Sequence, residues 1–271
     1  MPSSFLILGQ HVQVNCGNAA LASIIEANYA AMAAEFGERI ADLHYVVSDA
    51  PAGQAFALTR PSQPAVEVAD AGELLFHLEK DVTVALQHKR PDLLFLHAAA
   101  LEYGGKAWLL AGDSGNGKST TAWGLLHHGF RYLSDELSPI DLGSLQVLAY
   151  PHALCLKQRP PPSYPLPVAD VLDLGARLHV PVRLLPGGAV VEPCELAGVV
   201  FVSYREHLPA PVLHIAKRVP CFRVDCADLR LTCDLIGRLF MAPRETRAAA
   251  PANAPALLPA AGGRHPAAGP A

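Results

Sequence analysis

The sequence predicts an α/β fold, in which a mixed sheet with flanking helices follows an N-terminal α+β region. Two observations predict this class. Apolar segments of strand length alternate with stretches whose apolar residues recur at helical spacing. A glycine-rich loop also joins one of these strands directly to one of these helices. We therefore expect an α+β region over 1–90, a sheet domain carrying the loop over 91–240, and a disordered tail rich in Ala, Pro and Gly over 241–271.

The composition of the chain is that of a globular protein. It has 271 residues, of which 51% are hydrophobic, and this is enough apolar material for a buried core. The 25 acidic and 21 basic residues give a net charge of −4, which argues against a nucleic-acid partner. The apolar stretch Ala19–Phe36 is interrupted by Glu26 and Glu35, and the N-terminus lacks a signal-peptide pattern. We expect a cytoplasmic protein without a membrane partner.

Residues 1–90 contain predicted helices and strands but no chemical motif. Phe5–Val14 is apolar and favours a strand, and Ala19–Phe36 has the composition and spacing of a helix. A second strand is predicted over Leu43–Val47. Glu73–His88 predicts an amphipathic helix with one apolar face. That face is formed by Leu74, Leu75, Leu78, Val82 and Leu86.

The segment after residue 90 predicts a hairpin, a loop and a helix. Leu93–Leu101 and Ala107–Ala111 are apolar, and Gly104-Gly105 between them is typical of a hairpin turn. The helix that follows the loop is predicted over Ser119–His128 and ends before Gly129, where a helix C-terminal glycine is expected.

Residues 142–240 are less regular. Five prolines between Pro160 and Pro167 exclude a helix there, and Gly187-Gly188 predicts a turn. Leu196–Tyr204 predicts a strand, and Leu229–Phe240 predicts a last amphipathic helix.

The glycine-rich loop carries the first chemical signal. Gly112-Asp113-Ser114-Gly115-Asn116-Gly117-Lys118-Ser119 matches G-x-x-x-x-G-K-[ST] at every fixed position. The glycines let the backbone turn tightly, so that its N–H groups converge on phosphate oxygens. Lys118 adds a positive charge for the β- and γ-phosphates, and the Ser119 hydroxyl is a ligand for Mg²⁺. The sequence therefore predicts that Gly112–Thr120 binds the phosphates of ATP with Mg²⁺, rather than forming an ordinary surface loop.

Two adjacent carboxylates follow the loop. Phe130–Leu133 predicts a strand that ends in Ser134-Asp135-Glu136, and Asp135 comes 17 positions after Lys118. Adjacent parallel strands before and after the helix would bring these carboxylates to the mouth of the loop. Phosphoryl transfer needs a carboxylate for Mg²⁺ and a base for the attacking hydroxyl. We expect Asp135 and Glu136 to share these roles; the alternative is a solvated loop or a helix cap.

A known family shares these features. His97 to Asp141, HAAALEYGGKAWLLAGDSGNGKSTTAWGLLHHGFRYLSDELSPID, resembles the catalytic domain of HPr kinase/phosphorylase. The common features are a His before the hairpin, GxSGxGKS in the loop, a helix ending near Gly and a strand ending in two acids. Pro151–Lys157 resembles a stretch of the HPr-kinase-related bacterial serine kinases. The resemblance implies a fold of the phosphoenolpyruvate carboxykinase-like group, ATP and Mg²⁺ as cofactors, and a homo-oligomer.

The resemblance also implies roles for individual residues. Lys118 and Ser119 would bind the phosphates and Mg²⁺, Asp135 and Glu136 would supply the base and a metal contact, and His97 would lie near the transferred phosphate. Glu136 stands where the family usually has a second Asp, and its greater length leads us to favour Asp135 as the base. The family's E-x-R-G-x-G segment, which is tied to dephosphorylation, is absent where this chain has RLHVPVRLLPGG. We therefore expect no phosphorylase activity.

Other candidates are less specific. Ala98 follows His97 where the family usually has Gly, and a hydrogen-bonded core histidine is the alternative to a catalytic His97, because it lies in an apolar run. Four basic residues are candidates for stabilising the transition state, or else ordinary surface residues. They are Lys157, Arg159, Arg183 and Arg205.

The leading hypothesis is an ATP-dependent serine/threonine kinase that transfers the γ-phosphate to a hydroxyl of a protein or peptide. Two alternatives stay open. One is a small-molecule kinase, which would use the same loop and a nearby acid. The other is a nucleotide-binding protein of a biosynthetic cluster that has no catalytic activity.

Overall fold

The computed structural model describes residues 2–37, 39–50, 55–61, 63–202, 219–224 and 228–241. Within these residues the chain has a mixed α/β fold with a five-stranded, an eight-stranded and a three-stranded sheet. Apart from Met241, the predicted tail over 241–271 lies outside the described residues. None of the described helices combines the length and apolarity that a bilayer crossing requires.

The five-stranded sheet is formed by the first part of the chain, in the order β1-β2-β3-β4-β5. Its strands are β1 (Ser3–Ile7), β2 (Gln10–Cys16), β3 (Leu43–Asp49), β4 (Phe56–Arg60) and β5 (Gln63–Val68). The β segment predicted over Phe5–Val14 contains two strands, because Leu8 and Gly9 adopt positive φ and fold it into the β1–β2 hairpin.

Two helices pack on this sheet. Helix α1 (Ala19–Tyr29) begins after Asn18, whose Oδ1 accepts hydrogen bonds from two N–H groups of the first turn, and a 3-10 turn (Ala30–Met32) follows it. It is therefore shorter than the helix predicted over Ala19–Phe36. Helix α2 (Ala71–Lys89) begins with a capping box: Asp70 Oδ1 accepts from the Glu73 N–H at 2.8 Å, and Glu73 Oε2 accepts from the Ala69 N–H at 2.7 Å. The apolar face predicted for this helix is buried.

The predicted hairpin and loop open the eight-stranded sheet. The apolar run over Leu93–Leu101 forms two strands instead of one, because the chain leaves β6 (Leu93–Leu96) at His97 and enters β7 (Ala98–Tyr103). Strand β7 pairs with β8 (Lys106–Ala111) through the predicted Gly104-Gly105 turn. The loop then leads into helix α3 (Lys118–Leu126), which ends near Gly129 at φ 87° as predicted.

The strand carrying the acids does not lie next to β8. Strand β9 (Arg131–Ser134) pairs with the far side of β7, so that the order is β8-β7-β9. Strands β8 and β9 are thus parallel but separated by β7, and the predicted adjacency is wrong. The sheet continues through β10 (Ser138–Asp141), which pairs with β6, and β11 (Gln146–Val147).

The remaining elements complete the fold. The three-stranded sheet has the order β12-β14-β13. Its strands are β12 (Leu154–Leu156), β13 (Leu172–Asp173) and β14 (Leu178–Val180), and a 3-10 turn (Val182–Leu184) follows. Strand β15 (Cys194–Val202) runs parallel to β8, and β16 (Cys221–Val224) runs parallel to β15. Helix α4 (Leu229–Met241) matches the predicted last helix and lies against α3.

Candidate active site

The glycine-rich loop is folded by glycines in conformations that other residues rarely adopt. Gly112, Gly115 and Gly117 have φ of 154°, 90° and 81°. Gly117 precedes the first turn of α3 and has no side chain to cap it, so the N–H groups of that turn are free to bind an anion. A methyl group on Gly112 would lie 2.2 Å from the Val202 carbonyl oxygen, because β15 closely flanks the start of the loop.

Lys118 is folded back into this loop. It is buried, and its Nζ donates hydrogen bonds to the carbonyl oxygens of Gly112 at 2.8 Å and Asp113 at 3.1 Å. Desolvation by burial lowers the pKa of the Lys118 ammonium, while the charges of Asp135 and Glu136 act in the opposite direction. The ammonium therefore lies at the concave side of the loop.

Asp135 contacts the first turn of α3. Ser119 Oγ donates a hydrogen bond to Asp135 Oδ1 at 3.1 Å, and the Cys155 N–H donates to Oδ2 at 3.2 Å. Asp135 is fully buried, and this burial raises the pKa of its carboxyl, with the neighbouring Glu136 charge as the next cause. The sequence prediction of a carboxylate beside the loop thus agrees with the geometry, although β7 separates the two strands.

Glu136 occupies a different environment. Its backbone has φ 63°, which is uncommon for a residue other than glycine. Glu136 lines a cleft of about 360 Å³ together with Ser119 and Lys118. Arg177 donates a hydrogen bond to Glu136 Oε1 at 2.9 Å. One acid is therefore buried beneath the loop, and the other faces the cleft.

His97 lies between β6 and β7 and lines the same cleft. The alternative of a buried core histidine is wrong, because the residue is exposed while its apolar neighbours Leu96 and Ala98 are buried. Partial desolvation and the Lys118 charge lower the pKa of the His97 ring. The break between the two strands, which the hydrophobic pattern does not predict, is what exposes this side chain.

The other loop residues divide into two groups. Ser114, Gly115 and Thr120 line the cleft, whereas Asp113 accepts a backbone hydrogen bond from the Asn116 N–H at 3.3 Å within the loop. Neither Asp113 nor Asn116 lines the cleft.

One of the four basic candidates reaches the cleft. Lys157 Nζ donates a hydrogen bond to Ser114 Oγ at 2.9 Å. Arg159 and Arg183 instead form exposed ion pairs with Asp173 and Asp170. Arg205 lies outside the described residues. Arg177, which sequence reasoning missed, is separated from its partner Glu136 by 41 positions and has no local motif that would identify it.

A buried polar network joins the acids to the first part of the chain. The two ring nitrogens of His152 lie 2.9 Å from the carbonyl oxygens of Asp135 and Ala153. Glu79 Oε1 lies 3.9 Å from His152 Nδ1 and accepts a hydrogen bond from Asn28 Nδ2 at 2.9 Å. Burial raises the pKa of the Glu79 carboxyl. Helices α1 and α2 therefore support the strand end that carries the acids.

Gly112→Ala is expected to be more disruptive than replacing a glycine at which an added methyl group would meet no other atom. The new methyl group would meet the Val202 carbonyl oxygen at 2.2 Å, and the backbone would keep an unfavourable positive φ. We expect a loss of nucleotide binding and a lower melting temperature. Gly105→Ala is the matched control, because Gly105 has φ 77° but no atom within 4 Å of the added methyl. Similar nucleotide affinities for the two variants would contradict this account of the loop.

Comparison of the amino-acid sequence with known proteins finds no match. No protein-family model matches the chain, and no curated protein matches it. Among solved structures, the HPr(Ser) kinase/phosphatase from Coxiella burnetii is similar, with a TM-score of 0.36 and 18% identity over 57% of this chain and 97% of that chain. A likeness this weak indicates nothing about the function of this chain.

Proposed function

We propose that this chain is an ATP-dependent phosphotransferase that transfers the γ-phosphate to a serine or threonine hydroxyl of a protein or peptide. The observation that carries the proposal is the hydrogen bond between Ser119 Oγ and Asp135 Oδ1, at 3.1 Å, beside the buried Lys118 ammonium. A loop of this sequence has the groups for binding phosphates, and the acid beside it has the group for the metal.

The residues present suit a nucleotide with Mg²⁺. Gly115 and Gly117 leave open space where side chains would project, so the loop backbone can approach phosphate oxygens closely. Ser119 and Asp135 offer a hydroxyl and a carboxylate oxygen, which are the ligand types that Mg²⁺ takes alongside phosphates and water. When bound, Mg²⁺ would offset the negative charge of the phosphates. Lys118 and Lys157 supply two further positive charges at the cleft.

We infer that Glu136 takes the proton from the attacking hydroxyl. Its carboxylate lines the cleft, whereas both carboxylate oxygens of Asp135 already accept hydrogen bonds beneath the loop. The hydroxyl oxygen would attack the γ-phosphorus in line, the bond to the ADP oxygen would break, and the hydroxyl proton would pass to Glu136. This assignment differs from the sequence-based preference for Asp135 as the base.

The experiment that tests the function follows labelled γ-phosphate from ATP in the presence of Mg²⁺. The purified full chain is incubated with a mixture of serine- and threonine-containing peptides and, separately, with a mixture of hydroxylated metabolites. Label in the peptides supports the proposal, and its amount should fall about a hundred-fold or more in Glu136→Gln. Label only in metabolites would support a small-molecule kinase, and ATP binding without any turnover would support a nucleotide-binding protein without catalysis; either result would overturn the proposal.

A further inference from the structure

A second groove, of about 390 Å³, adjoins the phosphate cleft and lies between helix α2 and strand β6. His97 and Glu136 line both cavities, so the two meet at the proposed reaction centre. We propose that this groove binds an extended segment of the polypeptide acceptor, which reaches Glu136 from the side opposite the nucleotide. The inference rests on the proposed function and gives residues 71–89 a role in substrate recognition.

The exposed face of α2 forms one wall of the groove. Phe76, Lys80 and Val84 follow one another at intervals of four residues, and Phe76 and Val84 are 47% and 37% exposed although both are apolar. Lys80 has no ion-pair partner among the residues that the structure describes. An exposed stripe with the order apolar, cationic, apolar fits a ligand with a complementary order of side chains.

The stripe has a defined end at the reaction centre. The Arg177 guanidinium carbon lies 5.9 Å from the centre of the Phe76 ring, and Arg177 also binds Glu136. The distance along a helix is about 1.5 Å per residue, so Lys80 and Val84 lie roughly 6 and 12 Å farther along α2 than Phe76. These distances match about two and four residues of an extended chain. A small metabolite would not span them.

Strand β6 offers the backbone groups that an extended chain requires. Pro139 of β10 has no N–H, and its carbonyl oxygen accepts from the Leu148 N–H, so the backbone of Pro139 faces β11. Its partner Phe95 therefore directs its own N–H and C=O away from β10. Phe95 lines the groove, and in the described part of the chain β6 has a paired strand on one side only. An added strand could pair with this edge.

The groove therefore predicts a sequence preference in the acceptor. We expect a serine or threonine near Phe76, an acidic residue two positions away opposite Lys80, and an apolar residue four positions away against Val84. The acidic residue is the most diagnostic of these, because a charge pair can be reversed by substitution.

The test uses a displayed library of random peptides, selected on the immobilised full chain without nucleotide. Selected peptides should be enriched in the predicted pattern. The affinity of the strongest peptide, measured by fluorescence anisotropy, should fall about ten-fold or more in Phe76→Ala and in Lys80→Glu. A version of the peptide with Lys in place of the acidic residue should regain affinity for Lys80→Glu. Leu6→Ala and Lys89→Glu are the controls, because Leu6 is 46% exposed on β1 and Lys89 is exposed outside the groove.

The proposal is overturned if no peptide is selected, or if the selected peptides bind Phe76→Ala and Lys80→Glu as tightly as the unchanged chain. It is also overturned if Phe76→Ala converts an oligomer of this protein into a smaller one, as measured by its molecular mass in solution. The groove would then be an interface between copies of this chain. These outcomes are independent of the kinase assay, since peptide binding is measured without ATP. Peptide binding without phosphate transfer would contradict the proposed function alone.

Discussion

Lys118→Ala is expected to reduce transfer of the γ-phosphate about a hundred-fold or more. The Lys118 ammonium is the buried cation at the concave side of the loop, where it is held by the carbonyl oxygens of Gly112 and Asp113. Removing a positioned donor from a site of negative charge development has effects of this size on turnover. The measurement is the initial rate of label transfer from ATP, together with nucleotide affinity from a fluorescent ATP analogue.

Lys106→Ala is the matched control for this substitution. Lys106 forms an exposed ion pair with Glu195 at the surface of the sheet, where such pairs contribute little to stability. We expect its turnover and melting temperature to stay close to those of the unchanged chain. If Lys118→Ala is folded and transfers phosphate at the same rate as Lys106→Ala, the loop does not bind the reacting phosphate and the functional proposal fails.

Asp135→Asn is expected to stop turnover while leaving nucleotide binding largely intact. An asparagine can keep both contacts, because its carbonyl oxygen can accept from the Cys155 N–H and its amide can donate to Ser119 Oγ. What it loses is the negative charge beside Ser119. We expect the rate of phosphate transfer to fall about a hundred-fold or more, and raising the Mg²⁺ concentration should restore part of it, because Asp135 is a proposed ligand of the metal.

The same substitution should make the protein more stable at neutral pH. Burial raises the pKa of the Asp135 carboxyl in the folded chain, so the folded state binds this proton more tightly than the unfolded state does. Keeping Asp135 ionised therefore lowers stability, and the loss grows as pH rises from about 4 through the raised pKa. Asp135→Asn should melt at a higher temperature than the unchanged chain at pH 7, and the difference should disappear near pH 4.

A control variant at an exposed acidic residue distinguishes this gain in stability from the effect of removing any negative charge. Asp170→Asn removes a carboxylate that forms a surface ion pair with Arg183, far along the chain from the acids. We expect Asp170→Asn to keep its turnover and to show no such gain in melting temperature at pH 7. Loss of activity in Asp135→Asn without a gain in stability would contradict the account of Asp135 as a buried carboxylate that is retained for its chemistry.

The local parts of the site can be predicted from the amino-acid sequence alone. The order of glycines, Lys118 and Ser119 between an apolar strand and a helix is a short-range pattern, and the loop, β8 and α3 follow it closely. The apolar face of α2 was predicted for the same reason, because a helical period is visible within a few turns. The sequence likewise predicts that two acidic residues follow the strand that corresponds to β9.

Which of these groups come into contact depends on long-range packing. Strand β7 lies between β8 and β9 in the sheet. The apolar run 93–101 is divided into two strands at His97, because β6 pairs with β10 whereas β7 pairs with β8. Asp135 is buried whereas Glu136, whose backbone is left-handed, lines the cleft, and no local pattern in the sequence predicts this difference. Arg177 and His152 reach the acids through strand packing across many residues, and such long-range contacts leave no periodic signal in the sequence.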